Sequence, residues 1–379
     1  MEIHRFEDID ELSRYAEDWD RLTHEVPTRS WAWLSTWWRH YGPRSPGDER
    51  RRLSVIALIE SDGRLVLAAP WYVERSAVAG RVLRMLGSGE VCSDYLSLLC
   101  APPVKRAAIE RLADYLAANA VRDWDLIELA GVDAEDAAAN ELARALADRN
   151  CTVHRRAGLN CWRVALPDAF EDYFAIPSKS KRRGLRKLVQ NYIDGGRTTL
   201  HRAQSMDELH YGMALLIELH QRRRQSLGEP GSFASPSFRA FFDDVVPAMF
   251  RQGQLHFYWL TVDDRPVAAE YLLAGGDTLY AYQAGIDPEA LEHQPGKVAY
   301  LSILRQAISE GFRTFDFLRG DEPYKAALGA APRPSIEIRI AAPGTAARLR
   351  HGLWVAGTGV KQWLKQQLRP PKNGAAATA

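Results

Sequence analysis

The chain is poor in cysteine and has no long apolar run, and both features narrow the classes of protein to which it can belong. Its four cysteines, Cys92, Cys100, Cys151 and Cys161, form no Cys-x-x-Cys pair, and no histidine lies at a spacing that suits zinc. No window reaches the roughly eighteen apolar residues that a membrane-spanning helix needs. Since the first residues also lack the apolar core of a signal peptide, we expect a cytoplasmic protein with reduced, mostly buried thiols and no metal.

An excess of charge of either sign is also missing. The 379 residues include 49 Lys and Arg against 48 Asp and Glu, which argues against a dedicated nucleic-acid-binding protein but allows a local basic patch. The apolar share of 46% is normal for a globular protein and excludes wholesale disorder. The Gly-x-Ser-x-Gly, Walker and His-Glu-x-x-His motifs are absent, so hydrolase, P-loop and zinc protease signatures give no guide to function.

One pattern occurs twice in the sequence. Residues 53–75 read as two strands around an Asp-Gly turn, and residues 255–273 repeat this arrangement around an Asp-Asp turn. Arg64 and Arg265 occupy the same place in the two copies. Similar strand and helix patterns follow each copy, and after the first copy they include the predicted strands VLRMLG and YLSLLC. The sequence therefore predicts an α/β (α+β) fold of two related domains, each a mixed, mainly antiparallel sheet flanked by helices.

The predicted domain extents follow from this repeat. The first domain covers residues 1–165 and the second covers residues 166–343. A further helix is predicted over 344–369, and the remaining residues 370–379 (PPKNGAAATA) are predicted to be a disordered tail.

The densest run of charge lies just after the predicted junction. Six cations fall within nine residues, at Lys179, Lys181, Arg182, Arg183, Arg186 and Lys187. One interpretation is the solvated face of an amphipathic helix, because apolar residues recur on another face at helical spacing. The other is a patch for phosphate-bearing or acidic substrates, with Lys179, Lys181, Arg182 and Arg183 as the candidate binding residues, because like charges this close cost stability without a partner.

A tight turn, Gln294-Pro295-Gly296-Lys297, opens a helix predicted over 297–310. Proline is tolerated there because the first helical N–H groups lack intrahelical partners, and glycine lets a ligand approach the backbone. Those free N–H groups and the helix dipole favour an anion, which would also explain a cation in the first turn. The turn predicts either a phosphate site or an ordinary helix start.

Two carboxylates fall within apolar strands. Alternation in the strand TFDFL puts Phe315 and Phe317 on one face and Asp316 on the other, and Glu270 lies within VAAEYLL. A carboxyl group in such surroundings must find hydrogen-bond partners or shift its pKa. The position that corresponds to Glu270 in the first copy, near Ala69, is apolar, so we predict that the chemistry lies in the second domain. General base and structural anchor remain the alternatives for Glu270.

A Tyr324-Lys325 pair follows the strand TFDFL through a short polar loop. A lysine ammonium can stabilise a developing oxyanion, and a tyrosine can donate a proton or a hydrogen bond. Because loops after buried strands are common places for catalytic groups, we predict both residues to be part of the site.

At these residues the chain resembles the GNAT-superfamily acyltransferases of the CelD/BcsL type, which are associated with bacterial cellulose and exopolysaccharide synthesis. The segment FDFLRGDEPYK carries most of the resemblance, and the basic run SKSKRRGLRKL and the early segment WAWLSTWWRHYG are similar as well. The resemblance implies two tandem GNAT-like folds and acyl transfer from acetyl-CoA or another acyl-CoA. It also implies that the 294–297 turn binds the CoA pyrophosphate, although this turn has one glycine where the family loop has more.

The segment YKAALG is also similar to the Fem-type peptidyltransferases, which pair two GNAT-like domains and use aminoacyl-tRNA as donor. That resemblance implies a transition-state role for Lys325 beside Tyr324. The leading hypothesis is an acyl-CoA-dependent acyltransferase with Glu270 or Asp316 as base and a saccharide, amine or other small-molecule acceptor. A Fem-type enzyme that binds tRNA, or a non-catalytic scaffold of exopolysaccharide synthesis, is the alternative.

Overall fold

The computed structural model describes residues 1–43 and 48–367, with only the helical backbone from residue 358 onward. The elements of the first half are the strands β1 (Glu2–Phe6), β2 (Arg51–Leu53), β3 (Val55–Ile59), β4 (Leu65–Ala69), β5 (Trp71–Ser76), β6 (Gly80–Met85), β7 (Leu99–Cys100), β8 (Leu126–Asp133), β9 (Thr152–Ala157) and β10 (Cys161–Ala165), with the helices α1 (Ile9–Leu12), α2 (Ala16–Arg21), α3 (Trp31–Tyr41), α4 (Lys105–Ala118) and α5 (Ala137–Ala147).

The elements of the second half are the helices α6 (Phe170–Tyr173), α7 (Lys179–Leu188), α8 (Met206–Ser226), α9 (Pro236–Arg251), α10 (Pro295–Ser309), α11 (Pro323–Ala327) and α12 (Thr345–Gln367), with the strands β11 (Thr198–Arg202), β12 (Leu255–Val262), β13 (Arg265–Gly275), β14 (Thr278–Ile286), β15 (Thr314–Arg319), β16 (Ala331–Arg333) and β17 (Ser335–Ala341). The predicted disordered tail, 370–379, lies outside the described residues.

Local sequence signals explain where the long helices begin. The Ser205 hydroxyl accepts a hydrogen bond from the Glu208 N–H at 3.2 Å, and the Glu208 carboxylate accepts one from the Gln204 N–H at 2.6 Å, so α8 starts at a capping box. Ser235 caps α9 in the same way, with Pro236 in the first helical position. These caps satisfy N–H groups that the helices themselves leave free.

The two halves build sheets of closely similar strand order, which confirms the predicted mixed α/β fold. In the first half one sheet runs β2-β5-β6-β8-β17-β9, and β1, β3, β4 and β7 form a smaller sheet beside it. The sheet of the second half runs β11-β12-β13-β14-β15-β10-β16. Each large sheet has one parallel pair, β6 with β8 and β14 with β15, among antiparallel neighbours.

The two halves exchange a strand with each other. β10, from the end of the first half, lies between β15 and β16. β17, from the end of the second half, lies between β8 and β9. The domain boundary near residue 165 stays a prediction. β10 precedes this boundary in sequence but belongs to the sheet of the second half, whereas β17 belongs to the large sheet of the first half.

Part of the predicted strand pattern in the first half is wrong. The segment YLSLLC forms a strand only at Leu99 and Cys100, and residues 86–98 are a loop. That loop is buried despite its irregular backbone, because it runs between the two halves. There the Asp94 carboxylate binds the Arg319 guanidinium and accepts a hydrogen bond from the Arg319 N–H at 3.0 Å. Its apolar residues are therefore explained by interdomain packing rather than by sheet pairing.

Candidate active site

The parallel strands β14 and β15 separate after a short stretch of pairing and open a wedge. Their register covers only Thr278–Tyr280 against Thr314–Asp316. Beyond it the strands diverge, and β14 continues to Ile286 beside the start of α10. A cavity of about 430 Å³ at this wedge is lined by residues of β13, β14, α8, α10 and α11, and a cavity of about 360 Å³ adjoins it toward the first half. The wedge brings several predicted site residues together.

Glu270 lies on β13 at the wall of the larger cavity. Its side chain is almost fully buried, at 1% exposure, and neither carboxylate oxygen accepts a hydrogen bond from the described residues. Burial raises the pKa of Glu270 well above its usual value, while the nearby Tyr300 hydroxyl acts to lower it. A carboxyl group of this kind exchanges a proton closer to neutral pH than an exposed glutamate does.

Two tyrosines lie between Glu270 and the rest of the cavity. The rings of Tyr300 on α10 and Tyr324 on α11 stack with centroids 5.9 Å apart, and both residues line both cavities. Burial raises the pKa of each hydroxyl, so both remain protonated donors at neutral pH. The structure thus groups one buried carboxyl with two phenols, as the chemistry of proton transfer requires.

The N-terminus of α10 forms another part of the cavity wall. Gln294 adopts a left-handed conformation with φ 50°, and its side chain does not cap the helix. The Gln294 carbonyl accepts hydrogen bonds from the N–H groups of Lys297 and Val298. The Gly296 N–H has no partner in the described part of the chain. Pro295 occupies the first turn. Helix α10 begins two residues before the predicted start at 297 and ends one residue before the predicted end at 310, and its first turn offers a free N–H to a ligand.

The basic run forms α7, and its cations border a second groove. This groove, of about 380 Å³, is lined in part by Lys181, Lys187 and Lys297, and Gln294 and Lys297 also line the cavity that contains Glu270. Among the described residues no carboxylate lies within ion-pair distance of the six α7 cations. Lys179 and Arg183 are exposed, while Arg182 donates to the carbonyl oxygen of Ala175 at 3.1 Å. Unpaired positive charge therefore lies next to the turn.

Lys325 is buried at the edge of the smaller cavity, in a short helix and not in the loop that the sequence predicted. Its Nζ donates to the carbonyl oxygens of Leu318, Arg319 and Gly320 at 3.1, 2.7 and 3.1 Å, and it lies 2.9 Å from Oε2 of Glu322. These contacts hold the carboxyl end of β15. A direct contact to a reacting oxyanion would require Nζ to leave one of them.

Asp316 is fully buried and makes structural contacts of its own. It pairs with the Arg163 guanidinium, and it accepts hydrogen bonds from the Tyr95 hydroxyl at 2.6 Å and the Leu318 N–H at 2.7 Å. Burial raises the pKa of Asp316, while Arg163 and these hydrogen bonds act to lower it. Neither cavity is lined by Asp316, so the structure separates it from Glu270, Tyr324 and the turn.

Part of the second half is similar to a known domain family. Residues 179–326 match a family model described as an acetyltransferase (GNAT) domain. The second half of the chain has the GNAT acetyltransferase fold. No curated protein matches the chain at a significant level.

Solved structures with the same fold extend the likeness over both halves. The structure of FemX has a TM-score of 0.60 at 11% identity and covers 92% of this chain and 99% of its own. A protein of unknown function from Bacteroides thetaiotaomicron has a TM-score of 0.56 at 11% identity, covering 90% of this chain and 100% of its own. A C-terminal domain from Agrobacterium fabrum, described as part of a candidate lysylphosphatidylglycerol synthetase, has a TM-score of 0.51 at 11% identity, covering 90% and 96%. At this identity the likeness concerns the fold alone.

Some residues that line the larger cavity were not predicted from the sequence. His220 and Arg223 reach this cavity from α8, and Tyr300 reaches it from α10. His220 accepts the Ser232 N–H at 3.3 Å and contacts the Ala284 carbonyl at 3.0 Å, so both ring nitrogens are engaged. The sequence signal that could have identified Tyr300 as a cavity residue is its position one helical turn beyond Lys297.

Among residues 1–43 and 48–367, no group of three or more His, Cys, Asp or Glu side chains is placed to hold a metal ion. Nor does any helix in the described part combine the length and the apolar character that crossing a membrane requires.

Proposed function

We propose that the protein transfers an acyl group from an acyl-CoA, such as acetyl-CoA, to an amine or hydroxyl acceptor, and that the second half carries out the chemistry. The observation that carries the proposal is the unpaired, buried carboxyl of Glu270 in a cavity that also contains the open N-terminus of α10. Following the CelD/BcsL resemblance, we further propose an acceptor in polysaccharide or cell-envelope synthesis.

The donor would bind where the turn and the basic groove meet. The free Gly296 N–H and the positive end of α10 suit one phosphate group, and Lys181, Lys187 and Lys297 can neutralise others. Gln294 and Pro295 would shape this site, since both line the adjoining cavity. A donor with several phosphates therefore fits the start of α10 and the basic groove beside it better than a donor with a single carboxylate would.

The acceptor would enter from the smaller cavity at the junction of the halves. Cys92 and Asp94 line it from the first half, and Tyr282, Arg319 and Lys325 line it from the second. An acceptor nitrogen or oxygen there would face the wedge in which the thioester lies. This arrangement would give the first half a part in acceptor binding although it lacks a counterpart of Glu270.

The reaction is a direct attack on the thioester. The acceptor atom forms a bond to the acyl carbonyl carbon, and Glu270 takes its proton, directly or through Tyr300 or a water molecule. The carbon–sulfur bond then breaks, and Tyr324 supplies a proton to the departing thiolate or a hydrogen bond to the carbonyl oxygen. Lys325 would support this step by fixing the end of β15. Its predicted direct role would need a change in its present contacts.

Calorimetry with CoA and acetyl-CoA tests the donor. We expect binding by the parent protein and a roughly tenfold or larger loss in the double variant Lys181→Gln/Lys187→Gln, because two charges in the groove are removed. The matched control is Arg106→Gln/Arg111→Gln, which removes two exposed cations from α4. Absence of binding at millimolar ligand, or equal loss in both double variants, would count against an acyl-CoA donor.

The second candidate is aminoacyl-tRNA-dependent transfer, favoured by the row of unpaired cations on α7. It predicts tRNA binding that weakens steeply with salt and with removal of Lys179, Lys181, Arg182 and Arg183. A gel-shift experiment at low salt distinguishes the donors. The acyl-CoA proposal predicts no stable tRNA complex under conditions in which CoA binds.

A further inference from the structure

The C-terminal part of the chain differs from the rest in its charge. Glu337 is the last acidic residue, and the sequence after it contains arginines and lysines but neither Asp nor Glu. The cations beyond the final strand are Arg348, Arg350, Lys361, Lys365, Arg369 and Lys372. In a chain whose overall charge is close to zero, this uniform sign marks a region with an anionic partner.

One face of α12 packs on the body of the protein. Ala347 and His351 are buried, and the Trp354 ring lies under the Arg339 guanidinium, with 3.8 Å between the guanidinium carbon and the ring centroid. Arg156 covers the same ring at 4.9 Å. These residues recur every three or four positions, so they define the inner face of the helix.

The opposite face of α12 exposes apolar side chains. Leu349 and Leu353, one helical turn apart, are 64% and 66% exposed. Ala356, nearly one turn further along the helix, is exposed as well. Arg348 and Arg350 flank Leu349 along the chain, and both are exposed. The outer face therefore has an apolar stripe bordered by positive charge.

Neighbouring loops add to this surface. Val121, 48% exposed, lies beside Gly344 at the start of α12, and Val78, 77% exposed, lines a small cavity together with Arg350. The carboxylate at this cavity belongs to Asp125, which lies 3.9 Å from Arg350 and is also paired with Arg81. The apolar surface thus extends beyond the helix, and the acid beside it is already neutralised.

The composition of α12 makes its stability depend on burial. Gly352, Gly357 and Gly359 lie within its span, and each glycine costs a helix up to about 1 kcal/mol relative to alanine. Glycine-rich helices form mainly when one face is buried. A surface that covers Leu349 and Leu353 would add to the burial that the inner face already has.

We propose that the outer face of α12 over residues 345–357, with the adjoining Val78 and Val121, forms a docking surface for an anionic lipid bilayer, with the helix lying in the plane of the interface. Exposed apolar residues with cations beside them are characteristic of interfacial helices, whereas nucleic acid would use the cations and leave the leucines in water. Anionic headgroups match the acid-free C-terminal part, and the acyl region accepts the leucines. The protein would bind the membrane peripherally, by this face.

Co-sedimentation of the full-length protein with vesicles tests the proposal. We expect binding to vesicles that contain phosphatidylglycerol, weak or no binding to pure phosphatidylcholine, and release at high salt. Arg348→Gln/Arg350→Gln should weaken partitioning roughly 30-fold, since each cation near such a surface contributes about fivefold. Leu353→Gln should weaken it roughly tenfold through lost apolar burial. Amide exchange within residues 345–357 should slow on the vesicles.

The matched controls are Leu159→Gln, which replaces another leucine of similar exposure, and Arg106→Gln/Arg111→Gln on α4. Both should bind vesicles like the parent. Equal binding to neutral and anionic vesicles, no binding to either, or equal losses in test and control variants would overturn the proposal. It would also fall if Leu353→Gln converted a dimer to a monomer in light scattering, because the face would then join two copies.

Discussion

The two halves of this protein share a topology but differ in what they place at one position. The hairpin of β5 and β6 aligns with the hairpin of β13 and β14, so that Tyr72 corresponds to Leu273. The same offset relates Ala69 to Glu270. Both copies interrupt the strand next to this position, by Pro70 in the first half and by a bulge between Tyr271 and Leu272 in the second. The comparison teaches that the irregularity belongs to the fold, whereas the carboxyl group belongs to one half only.

A second pair of corresponding positions carries a carboxylate in both halves. Asp316 lies beside Tyr280 in the parallel register, and Glu128 lies beside Arg84 at the equivalent place in the first half. In both halves an arginine from the exchanged strand pairs with the carboxylate, Arg163 with Asp316 and Arg339 with Glu128. Because this pairing occurs in the half that lacks the site as well, it supports a structural role for Asp316 and leaves Glu270 as the better candidate base.

The largest effect should come from separating the halves. Residues 1–165 alone lack β17, so β8 and β9 would lose the strand between them, and we expect no cooperative unfolding transition in circular dichroism. A chain of residues 1–343 retains every strand and is the matched control, which should remain folded. A folded, cooperative 1–165 fragment would show that the exchange is dispensable and would support the boundary at residue 165.

The next effect concerns catalysis. Glu270→Gln should lower kcat about 10²- to 10⁴-fold, because the amide cannot accept the proton. The assay is release of CoA thiol from acetyl-CoA with a panel of amine acceptors, and the control is Glu128→Gln, which changes a first-half carboxyl group that lines neither cavity. Since burial raises the pKa of Glu270, the ionised base accumulates as pH rises, so the parent rate should increase with pH. A similar pH profile in the variant would exclude Glu270 as the base.

The next smaller effect is a difference in the free energy of unfolding between variants of the two carboxylates that pair with arginine. Asp316→Ala should reduce the free energy of unfolding by about 3–5 kcal/mol, because it leaves Arg163 and Tyr95 without their buried acceptor. Glu128→Ala should cost less, about 1–2 kcal/mol, since the Glu128 side chain is 20% exposed and water can replace it. Urea unfolding measures both. Equal losses would mean that the two pairs are equally buried in solution.

The smallest effect is a gain in stability. The unfolded chain loses the Glu270 proton near pH 4.5, while the folded chain keeps it to higher pH because burial raises the pKa. Between these two pKa values folding binds a proton, so the stability of the parent falls by about 1.4 kcal/mol for each pH unit. Glu270→Gln should remove this loss and unfold at higher urea concentration at neutral pH. Parallel curves of stability against pH would show that Glu270 is ionised in the native state.

The sequence predicted the features that depend on local pattern. The repeated hairpin, the turn that precedes α10 and the contrast between Ala69 and Glu270 can all be read from residue spacing, although α10 begins two residues before the predicted start. The exchange of β10 and β17 could not be predicted, because strand patterns do not specify partners distant in the chain. The partners of Asp316 were missed for the same reason, because Arg163 and Tyr95 are far from it in sequence. The partners of Lys325 lie only three to seven residues away, but its contacts depend on the backbone turn after β15, which the residue pattern does not specify. The catalytic assignments themselves stay predictions.

The exchanged strand also has a consequence for how the protein is made. β9 leaves the ribosome roughly 180 residues before β17, which is about 10–35 s at ordinary rates of synthesis. During that interval β8 and β9 lack the strand that lies between them, and their edges can pair with other chains. The nascent first half therefore cannot complete its sheet until nearly the whole chain has been translated. Slowed synthesis late in the message should increase aggregation more than slowed synthesis early.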